Sequence, residues 1–274
     1  MGSRAAAERL LAAGAARVDG RAQPKSHRLS GGEALQLDLA PLRPDPLAPE
    51  EMELDVVYED EHFLVVDKPA GVVVHPTPGR TEGTLVHGLL ERGAAGGAPE
   101  RPGIVHRLDR GTSGLLVVTR SEEAHRRMQR LIRRHELERE YLALVRGQPE
   151  SRTGRIEAAI GRDRSDPTRH SLDTATPREA VTHFELVELL PRHALLRVRL
   201  ETGRTHQIRV HLEAIGLPVA GDPVYGAGGD LGLRRQFLHA ARLAFEHPFT
   251  EERVEVSSDL PPDLASALEK ARLG

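Results

Sequence analysis

The 274-residue chain has no cysteine and no tryptophan, and only three tyrosines, five phenylalanines and three methionines. Without cysteine there is no disulfide framework, no thiolate metal site and no thiol nucleophile. Lysine is nearly missing too: among 38 basic residues only Lys25, Lys68 and Lys270 are lysine. Positive charge is therefore carried by arginine, whose planar fork pairs with phosphate and stacks on bases; a base-composition bias in the source genome would give the same excess. No apolar run reaches the roughly 18 residues of a membrane span, and Met1 to Gly20 lacks the apolar centre of a secretory signal. A cytoplasmic location is expected. The formal net charge of -3 argues against a uniformly basic binding surface, so any patch must be local.

What is present bounds the architecture. A hydrophobic content of 39% over this length allows one substantial core and a small extra module. Residues 1–40 read as a short helix over Ala5 to Ala13 that Gly14 stops, a Val18-Asp19-Gly20 turn, and the alternating strand Ala34 to Leu39. Residues 41–53, rich in proline, read as a linker, because repeated prolines block both helix and ladder pairing. Residues 54–274 form the main domain. Short strands are expected at Val56–Glu59, Phe63–Asp67 and Val72–His75, then a helix from Thr84 to about Arg92. Ser121 is placed to cap a helix with Met128, Leu131 and Ile132 on one side and Arg126, Arg127, Arg130, Arg133 and Arg134 around the rest. Strands follow at Tyr141–Val145 and Ile156–Ile160, and Gly161 to Glu179 is a polar loop. A hairpin of Ala180–Leu190 with Ala194–Glu201 comes next, and Thr205 opens a helix that Gly216 closes. Late strands at Phe237–Phe245 and Arg253–Ser257 and a helix from Pro262 complete an α+β class, a mixed and mainly antiparallel sheet with flanking helices.

The chain is organised around Gly103 to Arg120, GIVHRLDRGTSGLLVVTR. Here Asp109 lies between Arg107 and Arg110, ahead of a Gly111-Thr112-Ser113-Gly114 turn and the apolar run Leu115 to Val118. Read alone, Asp109 fits either a surface turn whose carboxylate caps a backbone amide or a catalytic carboxylate held on a rigid turn. A second stretch, LETGRTHQIRVHL from Leu200 to Leu212, joins EYLALVRG from Glu140 to Gly147 and the lead-in DKPAGVVVHP from Asp67 to Pro76. Together, over about Leu54 to Pro248, these segments resemble the RNA pseudouridine synthases that modify large-subunit ribosomal RNA and some transfer RNAs. The N-terminal segment resembles the second half of the small RNA-binding module named after ribosomal protein S four, with the module's first helix missing.

That resemblance implies the isomerisation of uridine to pseudouridine, in which the bond from ribose to uracil nitrogen one is broken, the base turned, and a bond made through carbon five. No cofactor and no group donor is needed. Asp109 is implied as the catalytic residue, as nucleophile or as base, with Arg204 as its basic partner and Tyr141 against the target base. The base must leave its stack to react, and the resemblance suggests Arg107 to fill the gap. His106, Arg110 and His206 join it as contacts to RNA, and Arg130 and Arg134 extend that set along the arginine-rich helix. Glu122, Glu123, Glu136 and Glu138 are available to pair with these arginines. A metal site is not expected: His206 and His211, five apart, do not share a helical face. The expected partner is RNA, ribosomal first, with no membrane, no small-molecule cofactor and a monomeric chain. Two other readings are an inactive RNA-binding or ribosome-assembly factor of the same fold and a transfer RNA pseudouridine synthase. A glycosidase would call for a second carboxylate, which the matched motifs lack.

Overall fold

The computed structural model describes residues 4–39, 47–77, 80–166, 168–226 and 228–274, and it divides into two compact units at Leu47/Ala48. The first contains helix α1 (Arg4–Ala12) and a three-stranded antiparallel sheet of β1 (Ala16–Val18), β2 (Arg21–Ala22) and β3 (Leu35–Leu37), with β1 in the middle. Leu10 and Val18 are buried within it. Of the expected linker, residues 41–46 lie outside the described residues. Its remainder belongs largely to the second unit: the Glu50 carboxylate accepts the Gly83 N–H at 3.0 Å, and the Met52 side chain lies where a Cβ on Gly88 would stand.

The second unit is built on one nine-stranded sheet. Its strands are β4 (Asp55–Glu59), β5 (Phe63–Lys68), β6 (Ser113–Thr119), β7 (Glu138–Arg146), β8 (Thr153–Glu157), β11 (Val181–Leu189), β12 (His193–Leu200), β13 (Leu238–Glu246) and β14 (Arg253–Ser257). They run in the order β4-β5-β6-β13-β7-β12-β11-β8, with β14 paired to the outer half of β13. Only β6 and β13 run parallel; every other pairing is antiparallel. The small hairpin of β9 (Gly161–Arg162) and β10 (His170–Ser171) lies inside the stretch read from the sequence as a polar loop.

Strand β6 is buried along its whole length, as its apolar run requires, and its outer neighbour β5 is nearly so. Phe63, Val65, Leu115 and Val117 share one face, where they meet Ala124 and Met128 of α3 (Glu122–Arg133) and Leu243 and Phe245 of β13. Ser121 caps α3, its side chain accepting the Ala124 N–H at 3.1 Å. Helix α2 (Leu85–Leu90) follows Thr84 as expected. Val72–His75, expected as a strand, is not one. The carbonyls of Val73 and Val74 accept instead the N–H groups of Leu85 and Val86 at 2.9 and 3.0 Å, so this apolar stretch covers the start of α2 instead of pairing with a strand. Helices α4 (Gln207–Ala214) and α5 (Pro262–Leu273) complete the unit. Among the described residues no helix is long and apolar enough to cross a membrane.

Candidate active site

Asp109 sits on the loop that leads into β6, and three neighbours fix that loop. Arg110 donates its N–H-bearing Nε to the Gly71 carbonyl at 3.2 Å while its own carbonyl accepts the Gly71 N–H at 2.7 Å. Arg235 donates to the Gly111 carbonyl at 3.0 Å, and Gln236 donates to the Thr112 hydroxyl at 3.1 Å. A Cβ on Gly111 would lie 2.5 Å from Gln236 Oε1, so a side chain there would push Gln236 away from its bond to Thr112. The turn is thus rigid before any ligand arrives, which is how a carboxylate is held in one orientation.

The guanidinium that meets Asp109 belongs to Arg209 of α4. Its Nη1 lies 3.1 Å from Asp109 Oδ2, while Nε and Nη2 form a paired contact with Asp222 at 2.6 and 2.9 Å. Arg209 and Asp222 are almost wholly enclosed, with side chains 5% and 0% exposed, whereas Asp109 keeps 16% of its side chain open to the cleft. Burial by itself would raise the Asp222 carboxyl, but the two bonds from Arg209 and the backbone N–H groups of Val224 and Tyr225 hold it below the ordinary value. Burial would likewise pull Arg209 down, and its bonds to Asp222 and Asp109 reverse that, leaving it raised. The Tyr225 ring faces the guanidinium, 4.8 Å from its carbon. Arg209 is therefore a fixed positive charge presented to Asp109 from a prebuilt frame.

Arg204, expected as that partner, is placed differently. Its Nε donates to the Glu179 carbonyl at 2.9 Å, and its backbone N–H is held by the side chain of Gln207 at 2.9 Å. Gln207 also donates to the Val181 carbonyl and the Thr182 hydroxyl, both at 3.0 Å, so the start of α4 is tied to β11. The helix begins at Gln207, and His206 before it takes a left-handed conformation with φ 59°. This turn carries Arg204 to the rim of the cleft, and the inward-facing position falls to Arg209, which follows Ile208 among the apolar residues of α4.

Tyr141, Asp109, Arg107 and Arg204 line one cleft. Tyr141 is 5% exposed, and burial raises its phenol. Arg107 is exposed at the cleft. The ring of His206 reaches Tyr225, Nδ1 standing 2.8 Å from the hydroxyl, and meets the His170 ring edge-on at 5.5 Å. His106 is half-buried. Its Nε2 accepts the Val117 N–H at 3.1 Å, its Nδ1 is buried with no hydrogen-bond partner among the described residues, and burial drives the ring down to about 3, so the ring is neutral and tied to β6. Arg130 and Arg134 are exposed on and just past α3, and no carboxylate pairs with them among the described residues. Glu123 is already occupied by Arg126 and Arg127.

Sequence reading missed Arg209, Asp222 and Tyr225. The available signal was an arginine flanked by Ile208, Val210 and Leu212, a position that must be buried and so needs an acid. It also gave no role to Lys68, which is fully buried below the loop with Nζ donating to the Pro69 and Val72 carbonyls at 2.8 and 3.1 Å. Burial lowers it to about 7, against the pull of Asp109 and Asp67. Among the described residues no three His, Asp or Glu side chains converge as metal ligands would.

Residues 62–214, which carry all of this frame except Asp222, Tyr225 and the β13 side, match the family described as RNA pseudouridylate synthase. A relative from Bacillus subtilis (strain 168), named uncharacterized RNA pseudouridine synthase YlyB, is 43% identical over 261 residues, covering 93% of this chain and 85% of its own length. The chain belongs to the RNA pseudouridine synthase family. A second relative, ribosomal large subunit pseudouridine synthase D of Xanthomonas campestris pv. campestris, is 39% identical over 283 residues, covering 98% of this chain and 85% of its own. Among solved structures, human RNA pseudouridylate synthase domain containing 1 superposes with a TM-score of 0.64 at 30% identity, covering 78% of this chain and 87% of that one. As a pseudouridine synthase, the protein is an isomerase that acts on RNA.

Proposed function

We propose that this synthase converts specific uridines of structured RNA, large-subunit ribosomal RNA first, to pseudouridine with Asp109 as the catalytic carboxylate. Arg209 is its counter-ion, and Tyr141 holds the face of the base while it is detached and turned. The observation that carries this reading is the contact of 3.1 Å between Asp109 and a buried arginine at the cleft that Tyr141 lines. The fixed guanidinium gives that carboxylate a permanent positive partner and holds it in one orientation, as a nucleophile or base requires. The bond from ribose to nitrogen one breaks, the bond to carbon five forms, carbon five gives up its proton, and nitrogen one gains one. Arg107, exposed beside Asp109, fills the place the base leaves in its stack, and Arg110, Arg130 and Arg134 contact phosphates. Ribosomal RNA is favoured by the name of the Xanthomonas relative and by the likeness of the N-terminal unit to half of a ribosomal-protein module.

The proton lost from carbon five gives the assay. Wild-type protein should release tritium from large-subunit ribosomal RNA transcribed with uridine tritiated at carbon five, and Asp109→Asn, with the same shape and no charge, should lose about 100- to 10,000-fold in rate. An Asp109→Asn variant as active as wild type would sink the proposal. Mapping pseudouridines in a strain without the protein identifies the RNA and the position, and an unchanged ribosomal map would move the substrate to another RNA.

A further inference from the structure

A second, larger cleft opens from the same carboxylate, about 980 Å³ in volume and lined by Asp109, Arg110 and Arg209 at one end and by Arg234, Arg235 and Lys270 toward α5. That is the upper end of the roughly 300–1,000 Å³ of small-molecule sites. Its walls hold five arginine and lysine side chains against two carboxylates, Asp109 and Asp263, in a chain whose net charge is negative. The pairing inside the cleft is uneven. Asp109 is taken by Arg209, and Asp263 is taken by Arg235 through two contacts of 2.7 and 2.9 Å. Among the described residues, no carboxylate pairs with the remaining cations, Arg110, Arg234 and Lys270. Arg234 is exposed and makes no hydrogen bond or ion pair among the described residues. Lys270 is exposed with one long contact, 3.4 Å, to the Leu231 carbonyl, and Arg110 spends only its Nε on the Gly71 carbonyl.

We infer that this cleft is the track for the RNA strand that flanks the target uridine, with Arg110, Arg234 and Lys270 holding successive phosphates as the chain runs from Asp109 toward α5. The inference rests on the function proposed above, since it takes the reacting nucleotide to lie at Asp109. A channel of unpaired cations beginning at the reacting group fits a polyanion that continues beyond it, and contacts to phosphate set register without reading sequence. Arg235 has a different part in the same wall. Neutralised by Asp263 and bonded to the Gly111 carbonyl, it is a positioning residue that joins α5 to the Asp109 loop.

The test is the salt dependence of binding to transcribed large-subunit ribosomal RNA, with tritium release measured on the same RNA. Arg234→Glu with Lys270→Glu should weaken binding at least roughly ten-fold at low salt, raise KM in step, and reduce the slope of log affinity against log salt by about 1 to 2, near 0.7 per lost phosphate contact on a single strand. Arg234→Gln with Lys270→Gln, which keeps the bulk and adds no repulsion, should give the same reduction in slope with a smaller loss of affinity. Arg192→Glu, an equal change of charge for one residue just ahead of β12, at the end away from Leu200 and the site, is the control and should leave all three readings at the wild-type value. If both double variants keep the wild-type slope and affinity, the cleft is not an RNA track. Failure of the proposed function has a separate signature, absence of tritium release by wild-type protein, and the binding slopes decide on the cleft in either case.

Discussion

Arg209 and Arg242 each gather carboxylates, and they do so in opposite surroundings. Arg209 lies between Asp109 and Asp222 with its side chain 5% exposed. Arg242 on β13 collects Glu255, Glu138 and Glu140 at 2.8, 3.0 and 2.8 Å, with Glu138 also bonded to Arg253. The second cluster has more partners, yet Glu138 and Glu255 keep 43% and 51% of their side chains in water. Water and salt screen the contacts to Glu138 and Glu255, and long side chains must be ordered to make them. The first is built from short aspartates on fixed turns, out of water, where removing one charge strands the other. What makes an ion pair fit for chemistry is therefore the frame and the dryness around it and not the number of its partners.

Arg209→Met should separate the two most clearly. It leaves Asp222 buried and uncompensated, for which a loss of about 3–5 kcal/mol is expected in urea unfolding, together with loss of tritium release. A cost below about 1 kcal/mol would erase the distinction. Lys68 extends the contrast to a buried cation without a close acid. A lysine in the unfolded chain titrates near 10.4, and in the folded protein Lys68 does so at about 7. Between those values the unfolded chain keeps a proton that the folded chain has released, so stability rises with pH across that window, by up to about 1.4 kcal/mol per pH unit. Unfolding of Lys68→Met at pH 7 and pH 9.5 should show that rise flattened, and an undiminished rise would assign it to another group. On the exposed side, Arg130→Glu with Arg134→Glu should weaken RNA binding by roughly ten-fold and flatten its salt dependence while leaving stability near the wild-type value. Smallest of all, Arg242→Ala should change stability by no more than about 1 kcal/mol, measured as a urea midpoint at constant slope.

Much of this was legible in the residues because the deciding forces were local. Ser121 ahead of Met128, Leu131 and Ile132 reads as a capped amphipathic helix, and α3 starts where the cap puts it. The alternation in β11 and β12 and the buried run of β6 are likewise properties of short windows. Val72–His75 has the composition of a strand, but composition cannot say whether a neighbour offers a ladder, and here the donors came from α2. The partner of Asp109 was obscured for a related reason. Arg204 and Arg209 share one motif, and choosing between them depends on where α4 begins. That point is set by Gln207 bonding back to β11, a tertiary contact, and by His206 accepting a left-handed backbone that sequence would assign to glycine. Asp222, which completes the frame, lies outside all four quoted motifs.

Strand β13 enters the sheet between β6 and β7, parallel to one and antiparallel to the other, and at the junction Gly114 comes so close to Ala240 that a Cβ would collide with its carbonyl oxygen. Asp109 stands on the β6 side of that seam and Tyr141 on the β7 side. The loop that carries the carboxylate and the strand that carries the ring are thus joined in the sheet by a strand far downstream of both, residues 238–246, which pairs with β6 on one edge and β7 on the other.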